Sequence, residues 1–227
     1  ELGADADLTV FTEALDTLHR FADLVGETSE RHALRGSSFK KLAVVVAAGA
    51  QPAEEFGSLD ISDADDAVKH ALEAYAAAGT LALAETGRRD SYTENIVLQL
   101  RYAGSTTRKA RSAEDLDLGR RLLQDSEHSA VNPINFWQRS QLGNSLLTVA
   151  ILEQANTEKS KERRDQYFEQ ARDAYTKAFR TRSAFNERAS VMTHLAELVA
   201  LVDGRGAGPD IARLHDALAQ VAQTMEA

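Results

Sequence analysis

The sequence predicts an all-α protein, and three observations carry that prediction. Proline is rare, with 3 in 227 residues, whereas alanine, the strongest helix former, is abundant. Apolar residues recur three or four positions apart along most of the chain, which is the spacing of one helix face. No segment alternates apolar and polar residues with the period of a strand. We therefore expect stacked antiparallel helical hairpins, about nine helices in all, in a single domain over 1–227.

The predicted helices are delimited by capping residues and glycines. Three of them open with a capping-box-like sequence, in which a serine precedes an acidic residue by three positions and an apolar run follows. These sequences are Ser62-x-x-Asp65, Ser91-x-x-Glu94 and Ser112-x-x-Asp115. Gly79 lies inside the third helix, where it costs roughly 1 kcal/mol relative to alanine, so we expect a close helix crossing there. The predicted helices span 5–25, 28–48, 62–86, 91–102, 112–128, 132–156, 165–179, 185–202 and 209–225.

The clearest unit is the hairpin at 132–182. Asn132 can cap its first helix, and Pro133 then occupies the first helical position, where a missing N–H costs nothing. Small alanines alternate with aromatic rings along the second helix, so that a neighbouring helix can approach between the rings. The charged segment 158–165, which contains KSKERRD, is expected to be a solvated helix start or turn.

The first helix of this hairpin resembles the tetratricopeptide repeat family. The family pattern there is W-x2-L-G-x2-Y. Leu142 and Gly143 match the L-G pair, and Leu146 replaces the Tyr. Trp137 lies two residues before the position of the family Trp, which Arg139 occupies.

The second helix resembles the same family through its pattern A-x3-F-x2-A. Ala171, Tyr175 and Ala178 match it, with Tyr in place of Phe. The family's proline is absent, Ser183 stands near its expected place, and segment 158–165 lengthens the repeat. A weaker echo of the family pattern occurs earlier, at Gly36, Phe39, Ala67, Ala71 and Ala74.

The resemblance implies a partner-binding groove. In peptide-binding members of the family, the residue after the L-G pair faces the concave surface and is often Asn, which here is Asn144. Helical spacing puts other side chains on or near that face. In the weaker match that begins at Gly36, two lysines occupy the corresponding helix positions. The implied partner-binding residues are Asn144, Trp137, Gln141, Ser140, Lys40 and Lys41. The alternative for Trp137 is a place in the core, where large aromatic residues usually lie.

A short basic segment offers a second, anion-binding interpretation. Residues 101–111 contain Arg101, Arg108, Lys109 and Arg111 and no acidic residue. Such a segment could contact a nucleotide or another anion. The alternative is an exposed basic loop in an acidic chain. We prefer this alternative because the net charge is −9.

No catalytic constellation is recognisable in the sequence. The six histidines are scattered, and none belongs to an H-E-x-x-H or Glu-x-x-His pattern. The glycine-rich stretch at 204–208 has no preceding strand and therefore fails as a dinucleotide loop. No G-x-S-x-G elbow occurs. We expect neither an enzyme nor a bound cofactor or metal.

Composition narrows the class of protein. There is no cysteine, which excludes disulfides and fits a cytoplasmic protein, and no apolar run is long enough to span a bilayer. Arginine (19) outnumbers lysine (7), which with the alanine content indicates a GC-rich bacterial source. Because the chain starts at Glu1 without an initiator Met, we expect it to be part of a longer protein.

These expectations define two functional hypotheses. The first is a non-enzymatic scaffold or regulatory module that binds a peptide or a partner domain in a concave helical groove. Pro133-x-Asn135 and the segment around Gly36 also resemble helical-repeat regions attached to bacterial caspase-like CHAT proteases and signalling effectors. The alternative is a helical small-molecule or nucleotide-binding sensor domain of a larger bacterial effector, using the basic segment.

Overall fold

The described part of the chain is helical. The computed structural model describes residues 26–49, 61–103, 112–133, 135–154, 156–180 and 185–203, with single residues at 13, 15, 17, 18, 20, 21, 24, 216, 217, 219 and 220. These residues form seven helices and no strand, which confirms the all-α class. The predicted helices 5–25 and 209–225 fall mostly outside them, so the total of nine stays a prediction.

The chain divides into two compact units. Unit 1 is Glu1–Thr107 and unit 2 is Arg108–Ala227. Unit 1 contains α1 (Ser29–Ala47), α2 (Ala64–Thr86) and α3 (Ser91–Ala103). Unit 2 contains α4 (Ala113–Val131), α5 (Phe136–Leu152), α6 (Glu158–Phe179) and α7 (Phe185–Asp203). The single domain over 1–227 also stays a prediction.

In unit 1, α1 and α2 form an antiparallel hairpin. Ser29 Oγ donates to Glu85 Oε2 at 3.2 Å, which joins the start of α1 to the end of α2. Tyr75, in the middle of α2, is fully buried against Gly36 of α1. Gly79 lies where α2 meets α3, because an added Cβ would be 3.2 Å from Thr93 Oγ1. That is the close crossing predicted for this glycine.

The start of α2 differs from its prediction by one residue. Asp63 is the N-cap and accepts from the Asp66 backbone N–H at 2.9 Å, whereas the sequence predicted Ser62 paired with Asp65. Ser62 instead donates to Asp66 Oδ2, from its hydroxyl at 2.5 Å and its backbone N–H at 3.0 Å. The Ser62 hydroxyl is the main cause that holds the pKa of Asp66 below its ordinary value of 3.8.

In unit 2, α5 is the central helix and packs antiparallel to both α4 and α6. An added Cβ on Gly119 of α4 would lie 3.0 Å from Leu152, near the end of α5. Further along the same pair, Ser126 Oγ and Ser145 Oγ lie 2.8 Å apart in the interior. Every residue of α5 from Gly143 to Leu152 is buried. The apolar residues of α5 therefore pack against two neighbouring helices, α4 and α6.

The boundaries of α5 and α6 differ from the predicted ones. Asn135, rather than Asn132, caps α5 and accepts from the Gln138 N–H at 3.0 Å, so Pro133 precedes the helix. The charged segment after Thr157 forms the first turns of α6. Thr157 and Ser160 make a reciprocal capping box there, each side chain accepting from the other residue's backbone N–H. Ser160 here occupies the position that Glu or Gln has in the usual capping box.

The same glycine–tyrosine contact recurs in both units. An added Cβ would lie 2.8 Å from the Tyr75 ring at Gly36 and 2.8 Å from the Tyr175 ring at Gly143. Each tyrosine belongs to the pattern A-x2-A-Y-x2-A, at 71–78 in α2 and at 171–178 in α6. The two hairpins, α1–α2 and α5–α6, therefore share one packing arrangement.

Three helices of unit 2 meet at a buried carboxylate. Glu153, the residue after α5, accepts from Arg163 of α6 at 2.8 Å and lies 3.6 Å from Arg120 of α4. Its side chain is 5% exposed, whereas both arginines are about half exposed. A carboxylate at a helix C-terminus opposes the helix dipole, so the two guanidinium groups offset an unfavourable position.

Candidate protein-interaction surface

Trp137 lies in the first turn of α5. The ring of Phe136, which is buried, meets Trp137 edge-on with centroids 5.6 Å apart, and it meets Phe179 of α6 in the same way at 5.6 Å. The Trp137 side chain is 40% exposed, an unusual value for the largest apolar side chain. Phe136 therefore contacts the Trp137 ring on one side, and Phe179 contacts Phe136 in turn.

Gln141 follows Trp137 by one helical turn. Residues four apart lie on the same face of a helix, so the two side chains are neighbours. Gln141 is half-buried as a residue, but its Nε2 atom is buried and has no hydrogen-bond acceptor among the described residues. A buried donor without an acceptor is unfavourable, so a rotation that brings Nε2 to the surface would break no hydrogen bond.

The other two residues proposed on this helix are buried in the interior of unit 2. Ser140 is fully buried and donates to the Trp137 carbonyl oxygen at 3.1 Å. Asn144 is 4% exposed, and its Oδ1 accepts from the Tyr175 hydroxyl at 2.5 Å. Its backbone carbonyl accepts from Thr148 Oγ1 at 2.9 Å. Neither side chain is open to an incoming partner in this arrangement.

Sequence reasoning missed the part that Tyr175 plays here. The sequence analysis matched Tyr175 to the Phe of the repeat pattern and assigned no partner to its hydroxyl. A buried tyrosine needs an acceptor for its hydroxyl, and that requirement was the available signal. The acceptor is the side-chain oxygen of Asn144 in α5, 31 positions earlier.

The two proposed lysines lie on α1 of unit 1 with different environments. Lys40 is 3% exposed and belongs to the buried side of α1, whereas Lys41 is exposed. Adjacent helical residues point about 100° apart, which accounts for the contrast. The contact role assigned to the pair stays a prediction.

The basic segment is only partly described. Arg101 is half-buried in the last turn of α3. Arg108, Lys109 and Arg111 lie outside the described residues. The anion-binding interpretation therefore gains no geometric support.

The described histidines have local partners. His32 Nε2 lies 3.0 Å from Glu27 Oε2, and His128 Nδ1 lies 2.7 Å from the Gln124 carbonyl oxygen. His70 stacks on Phe39 with centroids 5.1 Å apart and lies 3.6 Å from Glu73. Among the described residues, no three His, Cys, Asp or Glu side chains are grouped to hold a metal ion. His19 and His215 fall outside those residues.

None of the helices in the described ranges combines the length and the apolar character needed to cross a membrane. Comparison with models of protein families, with curated proteins and with solved structures finds no match to this chain. The function is therefore argued from the surface itself.

Proposed function

We propose that this chain is a non-enzymatic protein-interaction module, a stack of helical hairpins similar to tetratricopeptide repeats. Its partner is a peptide or a folded domain, of another protein or of the same one, and it binds at the surface around Trp137 and Gln141. The observation that carries the proposal is the exposure of Trp137 above a packed aromatic support.

Tryptophan is among the residues that most often dominate binding energy at protein interfaces. An exposed ring offers a large apolar area that loses contact with water on binding. The edge-on contact with Phe136, which itself packs on Phe179, reduces the side-chain freedom that binding would otherwise have to remove. Trp137 therefore has the properties of an anchor for an apolar side chain of the partner.

Gln141 supplies directional specificity beside this anchor. An apolar contact tolerates many partners, whereas a hydrogen bond from an amide requires an acceptor at a defined place. Gln141 Nε2 is buried without an acceptor among the described residues, so it gains a hydrogen bond if it turns outward to a partner. We expect a partner carbonyl or carboxylate to accept it.

The charge of the chain bears on the class of partner. A net charge of −9 disfavours nucleic acid, whose phosphates repel an acidic surface, and supports a protein partner. The lack of cysteine fits a reducing compartment, and we place the protein in the cytoplasm on that basis.

The test combines affinity capture with the fluorescence of the single tryptophan. The only Trp of the chain is Trp137, so its emission reports on this surface alone. A protein captured from source lysate is identified, and a tryptophan-free segment of it is titrated into the wild type. We expect emission to move to shorter wavelength and acrylamide quenching to fall. Trp137→Ala should weaken binding at least tenfold by calorimetry, about 1.4 kcal/mol.

Leu83→Ala is the matched control, because Leu83 is 44% exposed on α2 of unit 1 and is likewise apolar. Circular dichroism establishes that each variant folds. Equal affinity of wild type, Trp137→Ala and Leu83→Ala, or binding without any change in emission, would overturn the proposal. Asn144→Ala is a poor probe, since it removes the acceptor of a buried tyrosine.

A further inference from the structure

We draw no further inference here: the strongest candidate, the cleft of about 520 Å³ lined by α6 and residues 216, 217 and 220, has five carboxylates (Glu158, Glu162, Asp165, Glu169 and Asp216) beside two basic side chains, and nothing among the described residues shows what would occupy it.

Discussion

A ring that rests on a glycine leaves no room for a side chain. At Gly143 an added Cβ would lie 2.8 Å from two carbons of the Tyr175 ring, closer than real Cβ contacts. Tyr175 is fully buried and hydrogen-bonded through its hydroxyl, so the ring cannot turn aside. The close approach of α5 and α6 therefore depends on the missing Cβ.

We predict that Gly143→Ala destabilises the protein. Overpacking of this kind costs about 1–3 kcal/mol, which exceeds the roughly 1 kcal/mol that alanine adds in helix propensity. Urea unfolding followed by circular dichroism measures the difference. Gly79→Ala is the control, since its Cβ would meet only Thr93 Oγ1, at 3.2 Å. Equal stability of the two variants would show that the contact at Gly143 is not tight.

Residue-scale features divide into those that local sequence determines and those that it does not. The sequence placed Asn144 in a groove from its position after Leu142-Gly143. Its burial depends on the Tyr175 hydroxyl, 31 residues away, and no local pattern encodes that pairing. The sequence could not decide whether Trp137 lies in the core or on the surface, because its exposure is set by the neighbouring helices.

At the scale of elements, the sequence predicted some helix ends correctly and misplaced others. Ser112 caps its helix as predicted, because an N-cap acts within three residues of itself. Where two candidates stood close together, the choice depended on geometry. The N-cap of α2 is Asp63 and not the predicted Ser62, and the N-cap of α5 is Asn135 and not the predicted Asn132.

The start of α2 yields a pH prediction. The pKa of Asp66 is lowered in the folded protein, so its charged form adds stability above the ordinary pKa of 3.8, and this stability is lost as pH falls through the folded value. Ser62→Ala removes the first cause of the shift. We expect the Asp66 pKa to rise in this variant, as measured by NMR titration of the carboxyl carbon. An unchanged pKa would contradict the hydrogen bond from Ser62.

The junction of α4, α5 and α6 yields a second element-scale prediction. Glu153→Gln removes the charge that faces Arg120 and Arg163. We expect a loss of about 1–2 kcal/mol, because the carboxylate is buried while solvent screens the half-exposed arginines. The loss should shrink in 1 M NaCl.

Glu169→Gln is the matched control for Glu153→Gln. Glu169 is 74% exposed and lies 4.0 Å from Arg172, so its removal should change the free energy of unfolding by less than about 0.5 kcal/mol. An equal effect of both variants would mean that Glu153 does not hold the three helices together.

At the scale of the whole molecule, helical periodicity predicted the class, since it repeats in every segment. The number of helices and their assembly into a solenoid depend on contacts between distant segments, which periodicity does not record. The shared Gly–Tyr contact was within reach of the sequence, because A-x2-A-Y-x2-A occurs twice. Only the structure showed that each tyrosine faces a glycine of the preceding helix.

The division into two compact units yields a prediction for the whole chain. A fragment of residues 108–227 contains α5 together with both helices that pack along its length. We expect this fragment to be helical and to unfold in a single cooperative transition in urea. A gradual loss of helical signal, with no transition, would show that unit 2 requires residues 1–107.

The paired glycine and tyrosine also constrain how the chain can evolve. A larger residue at Gly36 or Gly143 is tolerated only after the opposite ring has become smaller, and a smaller ring alone leaves a cavity. Neither substitution is neutral by itself, so the order of changes matters. In an alignment of descendants, the glycine and tyrosine positions of each hairpin would change together, although 38 positions separate them in the first hairpin and 31 in the second.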